Sequence, residues 1–300
     1  MAVAQKKVLS RTARQRIGFY LWLTPAIIGF CLLTAYPMFR SLFLSFTNYE
    51  MGAFEWGWNG FENYSYLLSS SIDFWIPLRN SLLFALCSVV LTNVLALLVA
   101  HLLTQDLVGT RGFRTLFYLP SILPAVATVI MFGFLFDANG GIINTLLFRL
   151  GVPRDALPGW LNDEGWAMPV IILINCWGFG GKMIIYISGL NAIPQDYYEA
   201  ARIDGASGMR IFYRITIPLL MPSIVYNVIT AIIGGIQVFT EGAVATNSVS
   251  FFVVRLYEMA YTGGDLSTAS AMAWLLFIIV AVLAGGNYFL SKRFTHYEND

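Results

Sequence analysis

Residues 199–218 read Glu-Ala-Ala-Arg-Ile-Asp-Gly-Ala-Ser-Gly-Met-Arg-Ile-Phe-Tyr-Arg-Ile-Thr-Ile-Pro. The stretch is a charged island between two long apolar runs. Glu199 offers a carboxylate, and Ala200 and Ala201 are small enough to let another backbone come close. Gly205 permits a turn with positive φ, where a Cβ would clash. Pro218 suits the first turn of a following helix, where its missing N–H costs nothing. The spacing predicts a short helix, a sharp turn and a re-entry into apolar surroundings. A charged helix held between two such runs is a docking element for a soluble partner.

Outward from this island the chain is apolar. Of its 300 residues 57% are hydrophobic and only 12% charged, which excludes an ordinary soluble domain. Net charge is +1, so nothing points to nucleic acid. A helix needs roughly 20 apolar residues to cross about 30 Å of hydrocarbon. Runs of that kind occupy about 17–36, 81–103, 116–136, 167–190, 219–239 and 271–290. They lack the alternation of barrel strands, so the expected class is all-α integral membrane with six spans. The basic N-terminus before the first run resembles the start of a signal peptide. The run is too long, and no small-residue cleavage site follows, so a retained anchor is expected.

Loop charge sets the expected orientation. With the N-terminus cytoplasmic, 12 of the 18 Lys and Arg residues fall inside, 5 outside, and Lys182 within a span. Both termini and the Glu199 island then face the cytoplasm. The expected organisation is a basic N-terminus at 1–16, a first span and outer segment at 17–80, and a five-helix core at 81–290. The core carries the charged loop at about 194–218, and a cytoplasmic tail occupies 291–300. Trp56, Trp58, Phe61, Tyr64 and Tyr66 in the first outer segment are expected at the lipid headgroup level. Gly140, Gly141, Pro153, Pro158 and Gly159 mark a second outer loop.

The island resembles the EAA loop of permease subunits in binding-protein-dependent ABC importers. Glu199, Ala200, Ala201, Gly205, Ile215 and Pro218 stand at that loop's spacings, and Ile217 stands where Leu is usual. Further stretches resemble the sugar/maltose-type branch of the family. These are Thr24-Pro25-Ala26, Tyr36-Pro37, Ser45 to Tyr49, Gly60 to Tyr64, Leu119-Pro120-Ser121 and Gly141 to Asn144. After the fifth run, Thr246 is followed by Asn247 and Ser248 rather than the glycines common in the family. The resemblance implies a type I importer permease fold in the inner membrane, moving sugars, oligosaccharides or sugar-like polyols by alternating access. It implies a second, related permease chain, an ATPase dimer that binds ATP and Mg, and an extracytoplasmic solute-binding protein. Glu199, Ala200, Ala201, Asp204, Gly205, Ile215 and Pro218 would form the ATPase-coupling element.

No cofactor site is expected in the chain itself. The only Gly-Lys pair, Gly181-Lys182, is followed by Met183 and lacks the Gly-rich phosphate loop. Cys31, Cys87 and Cys176 lie in apolar runs without metal-ligand spacing. His101 and His296 sit near span ends, far apart in sequence, and no catalytic constellation is present. Lys182 is the sharpest intramembrane residue, roughly 12 Å from the end of its run at Leu190. An isolated ammonium at that depth costs at least ~2.5–3.5 kcal/mol on insertion scales. It lines a solute path, pairs with a carboxylate elsewhere, or snorkels to water; Gly178, Gly180 and Gly181 leave room around it. The resemblance adds Asn175, Trp177, Gln237 and Glu241 as further path residues, although Asn175 and Gln237 also suit interhelical hydrogen bonds. The competing reading is a stand-alone ion-coupled transporter. It would need coupling carboxylates or histidines that the span centres lack.

Overall fold

The computed structural model describes residues 11–105, 108–244 and 248–291. Thr246, Asn247, Lys292, Arg293, His296, Lys6 and Lys7, which entered the sequence reading, lie outside them. The chain is helical: α1 (Arg11–Phe30), α2 (Tyr36–Leu44), α3 (Glu62–Ser69), α4 (Ile76–Leu103), α5 (Thr110–Tyr118), α6 (Ala125–Leu135), α7 (Ile142–Arg149) and α8 (Glu164–Trp177). It continues with α9 (Gly180–Asn191), α10 (Gln195–Ile203), α11 (Gly208–Ile211), α12 (Ile217–Leu219), α13 (Met221–Ile236), α14 (Phe252–Tyr257) and α15 (Leu266–Ser291).

Three helical stretches, Gly18–Leu44, Ile72–Leu103 and Leu266–Phe289, are long and apolar enough to cross a membrane. Two other apolar runs, expected to be continuous, are bent, and the run expected at 219–239 begins at a bend that joins it to the charged island. Thr110–Ile122 meets Ala125–Leu135 at 96°, Glu164–Trp177 meets Gly180–Asn191 at 47°, and Gly208–Leu219 meets Met221–Ile236 at 68°. The causes are local. Pro120 and Pro124 flank the first break, Gly178 and Phe179 make the second, and Pro218 and Pro222 bracket the third.

Proline also explains a recurring local feature. The π-helical turns Cys31–Ala35, Ser71–Trp75 and Phe212–Thr216 are each followed, two residues on, by Pro37, Pro77 or Pro218. A proline has no N–H for the i−4 carbonyl, and its ring crowds that carbonyl. Widening the preceding turn by one residue relieves the clash, and Tyr36 and Ile217 each donate five residues back, to Cys31 and Phe212. Pro218 stands in the first turn of the short helix α12, which continues the π-helical turn before it, and the span helix α13 starts only after the following bend.

α4 is the central helix. Phe84 joins a cluster with Phe132, Trp160, Ile171 and Phe251; Leu78 and Ala85 join a second with Phe252 and Met272. Ala96, Ala100 and Leu103 join a third with Met183, Tyr186 and Leu220. α13 crosses α4 closely because Gly235 has no side chain: a Cβ there would come within 2.9 Å of Ala85 Cα. The window of highest hydropathy in Gly18–Leu44 is 0% buried, so this stretch is peripheral, with α2 against α15.

The 45–75 segment is held by hydrogen bonds between stretches distant in sequence. Asn63 donates to the carbonyls of Ser45 (2.9 Å) and Thr47 (2.8 Å), and the Tyr64 and Ser45 hydroxyls are 2.7 Å apart. Ser267 Oγ accepts from the Tyr49 N–H at 2.7 Å, tying the segment to α15. Its aromatic residues, expected only as headgroup anchors, pack on one another: Phe46 stacks on Trp58 and touches Phe61 and Tyr64.

Candidate functional site

A cleft of about 510 Å³ opens in the middle of the bundle, bordered by α4, the 119–122 turn, the α8–α9 break and α13. Sequence periodicity puts polar groups on the facing sides. Ser88 and Thr92 are one helical turn apart on α4, and Asn227, Thr230 and Gly234 follow a single stripe of α13. Lys182 enters from the first turn of α9, immediately after the break. Asn175 and Gly178 line it from the other side of that break. Gly181 adds open space, whereas Gly180 does not make room for Lys182: a Cβ there would meet Phe117 O, so its role is close packing of α9 on α5.

The polar groups of this cleft are incompletely matched. Asn227 is fully buried and donates Nδ2 to the Lys182 carbonyl at 3.3 Å. Among the described residues, four buried side-chain polar atoms have no partner. Two of them, Ser88 Oγ and Asn227 Oδ1, belong to residues lining this cleft. An unmatched buried polar atom costs ~1–3 kcal/mol, so two at one site are a costly arrangement for structure alone. Beside the cleft, the Tyr186 hydroxyl donates to Asn93 Oδ1 at 2.8 Å, and Asn93 Nδ2 donates to the Val89 carbonyl at 2.7 Å.

The described ion pairs are those of Arg255 with Asp73 and with Glu258, so Lys182 has no carboxylate at ion-pair distance among the described residues. Glu241 borders a smaller adjoining pocket of about 190 Å³ together with Lys182, Asn175 and Trp177. Trp177 is 46% exposed, its ring edge-on to Phe132. Gln237 lies apart: it caps the end of α13, its N–H bonded to the Ile233 carbonyl, and it lines neither pocket.

At the α10 end of the molecule the charged island forms the short helix α10, closed by a Schellman turn. Ala206 N–H donates to Ala201 O at 2.9 Å and Gly205 N–H to Arg202 O at 3.0 Å. This closure puts Gly205 at φ +73°, a conformation that side chains with a Cβ resist. Glu199, Ala200, Asp204, Gly205 and Pro218 are exposed; Ala201 and Ile215 are half-buried. Two hollows flank the turn. One, of about 700 Å³, is lined by His101, Tyr198, Arg202 and Phe212; the other, of about 470 Å³, by Ala201, Asp204, Arg210, Arg214 and Ile215. Ile203 is 86% exposed and Met209 67%.

At the opposite end of α4, sequence reasoning missed a network. Asp73, 7% exposed, accepts from Tyr66 (2.5 Å), Ser70 (3.0 Å) and two nitrogens of Arg255 (3.0 and 2.6 Å). The hydrogen bond to Asp73, then burial, raises the Tyr66 phenol above its ordinary pKa. Asp73 and Arg255 are 182 residues apart, and no local pattern joins them.

With this geometry in place, the chain can be compared with known proteins. Residues 93–295 match the family described as binding-protein-dependent transport system inner membrane component. The probable ABC transporter permease protein YesP of Bacillus subtilis is 34% identical, over 99% of this chain and 97% of its own. The lactose transport system permease protein LacF of Rhizobium radiobacter is 31% identical, over 95% of this chain and 98% of its own. A chain in the crystal structure of a bacterial ABC transporter involved in the import of the acidic polysaccharide alginate superposes with a TM-score of 0.80. That match is at 22% identity and spans 94% of this chain and 98% of the other.

Proposed function

Since the chain belongs to the family of binding-protein-dependent transport system inner membrane components, multi-pass permeases of the inner membrane with the type I ABC importer fold, we propose that it forms half of a translocation path for sugars or oligosaccharides. A second, related permease chain supplies the other half. The saccharide class draws on relatives such as the lactose permease. The three bent pairs each count as one crossing, which gives six spans with both termini in the cytoplasm. The Glu199 loop between the fourth and fifth spans then faces an ATPase dimer. That dimer holds ATP and Mg, and its closure moves α9 and α13 on either side of the central cleft. Lys182, Asn175, Trp177 and Glu241 lie along the path, with Gln237 at its margin. A solute-binding protein delivers cargo at the α3 end.

The observation that carries this reading is the α10 element: a short charged helix closed at Gly205, with exposed Ile203 and Met209 and hollows on both sides. Single cysteines at Ser207 and Asp155, in a cysteine-free chain, test the sidedness. Impermeant maleimide added to intact cells should label the Asp155 site alone. Labelling of both would break the six-span arrangement. Co-purification of the tagged chain should bring an ATPase and a second permease; their absence from an intact, membrane-extracted preparation would remove the importer assignment.

A further inference from the structure

We infer that the cargo is an acidic saccharide, a uronate-containing oligosaccharide whose carboxylate is received by Lys182. This rests on the importer reading and names its substrate class. The lining of the central cleft holds one formal charge, Lys182, among hydroxyls and amides of Ser88, Thr92, Asn175, Asn227 and Thr230. Hydroxyls and amides suit a polyhydroxylated solute, and half-buried Asn175 and exposed Thr230 are within its reach on the cleft wall. Exposed aromatic faces of Tyr226 in the cleft and Trp177 beside it suit the apolar face of a sugar ring. The ammonium is what separates the solute classes. It has no carboxylate at ion-pair distance among the described residues, and it sits in an apolar span where an unpaired charge is costly. A neutral sugar filling the cleft would displace water from the ammonium and return no counter-charge. A uronate would return one through a charge-assisted hydrogen bond, about twice as strong as a neutral one. The nearby carboxylate, Glu241, borders the adjoining pocket and forms no ion pair with Lys182.

The test uses the whole importer with its solute-binding protein in proteoliposomes. Uptake of tri-galacturonate and tri-mannuronate is compared with that of galactotriose and maltotriose, in wild type, Lys182→Met and Lys182→Arg. Assembled complex and basal ATP hydrolysis are measured on the same vesicles. Wild type should take up a uronate trisaccharide. Lys182→Met should lose it by about tenfold or more, the scale of one lost charge-assisted bond, with assembly and basal hydrolysis retained. Lys182→Arg should keep most of the uptake. Transport of the neutral trisaccharides alone would overturn the acidic cargo and leave the importer reading standing. Intact ATP hydrolysis with no uptake of any saccharide would overturn both the acidic cargo and the saccharide class. Unchanged uronate uptake in Lys182→Met would remove Lys182 from the site. A Lys182→Met defect relieved by adding Glu241→Gln would mean that these two side chains neutralise each other during the cycle, and would also overturn the assignment.

Discussion

The Asp73 network, in the turn that leads into α4, and the central cleft, which α4 borders, are both polar regions, and they differ in how their groups are matched. Asp73 is surrounded: a phenol and a hydroxyl donate to Oδ2, and two nitrogens of one guanidinium donate to Oδ1. The cleft leaves a buried hydroxyl, a buried amide oxygen and an ammonium without partners at hydrogen-bond or ion-pair distance among the described residues. Matched networks fix one arrangement, because each member would be costly to expose alone. Unmatched groups are a standing cost that a change of conformation or a bound solute can offset. The difference divides the helical stretch Ile72–Leu103 into a clamped end and a working middle.

Breaking the clamp should produce the largest loss of stability. Arg255→Met leaves the Asp73 carboxylate buried without its cation. Loss of one partner from a buried pair costs ~3–5 kcal/mol; the low end applies, since a third of the Arg255 side chain (33%) stays in water. The thermal midpoint of the purified complex should fall by several degrees. Adding Asp73→Asn should recover part of the loss, because the uncompensated charge is then gone. An unchanged midpoint in Arg255→Met would mean that the pair holds nothing together.

Gly205→Val acts at the α10 turn, outside both polar regions, and should separate stability from function. Nothing lies within 4 Å of a Cβ built there, so the substitution meets no steric block. Its φ of +73° is the entire difficulty. A β-branched residue in that region costs ~1–3 kcal/mol, or reopens the turn. Membrane levels should stay near wild type while solute-stimulated ATP hydrolysis and uptake fall sharply. Wild-type uptake would show that the turn does not couple the chain to its ATPase.

These regions were unequally legible in the sequence. The α10 turn could be read because its signals are local: Glu-Ala-Ala, a glycine at the helix end and a proline beyond it. Apolar runs announced the spans, but not their bends, since a hydropathy window averages across Pro120, Gly178 and Leu220. Lys182 stood out as a charge in an apolar run. Its neighbours in the cleft, Asn227 and Ser88, did not, although the stripes Ser88–Thr92 and Asn227–Thr230–Gly234 carried the signal. The clamp was invisible, because Asp73 and Arg255 meet only when the chain returns after 182 residues. Gly180 was misread as space around Lys182, since sequence cannot say which side of a helix its neighbour occupies.

The smallest expected effect on stability sharpens the comparison most. Ser88→Ala removes a buried hydroxyl whose oxygen has no partner. In the clamp, deleting a polar group strands its partners; here no partner is stranded, because Thr92 bonds the Ser88 carbonyl and not its side chain. The change should therefore shift stability by no more than ~0.5 kcal/mol, and in the favourable direction if it shifts at all. If the hydroxyl serves cargo, uptake should weaken by about fivefold, one neutral hydrogen bond's worth, while the thermal midpoint and basal ATP hydrolysis stay put. A marked fall in the midpoint would show that Ser88 has a structural partner after all, and the contrast between a matched clamp and an unmatched cleft would fail at its clearest residue.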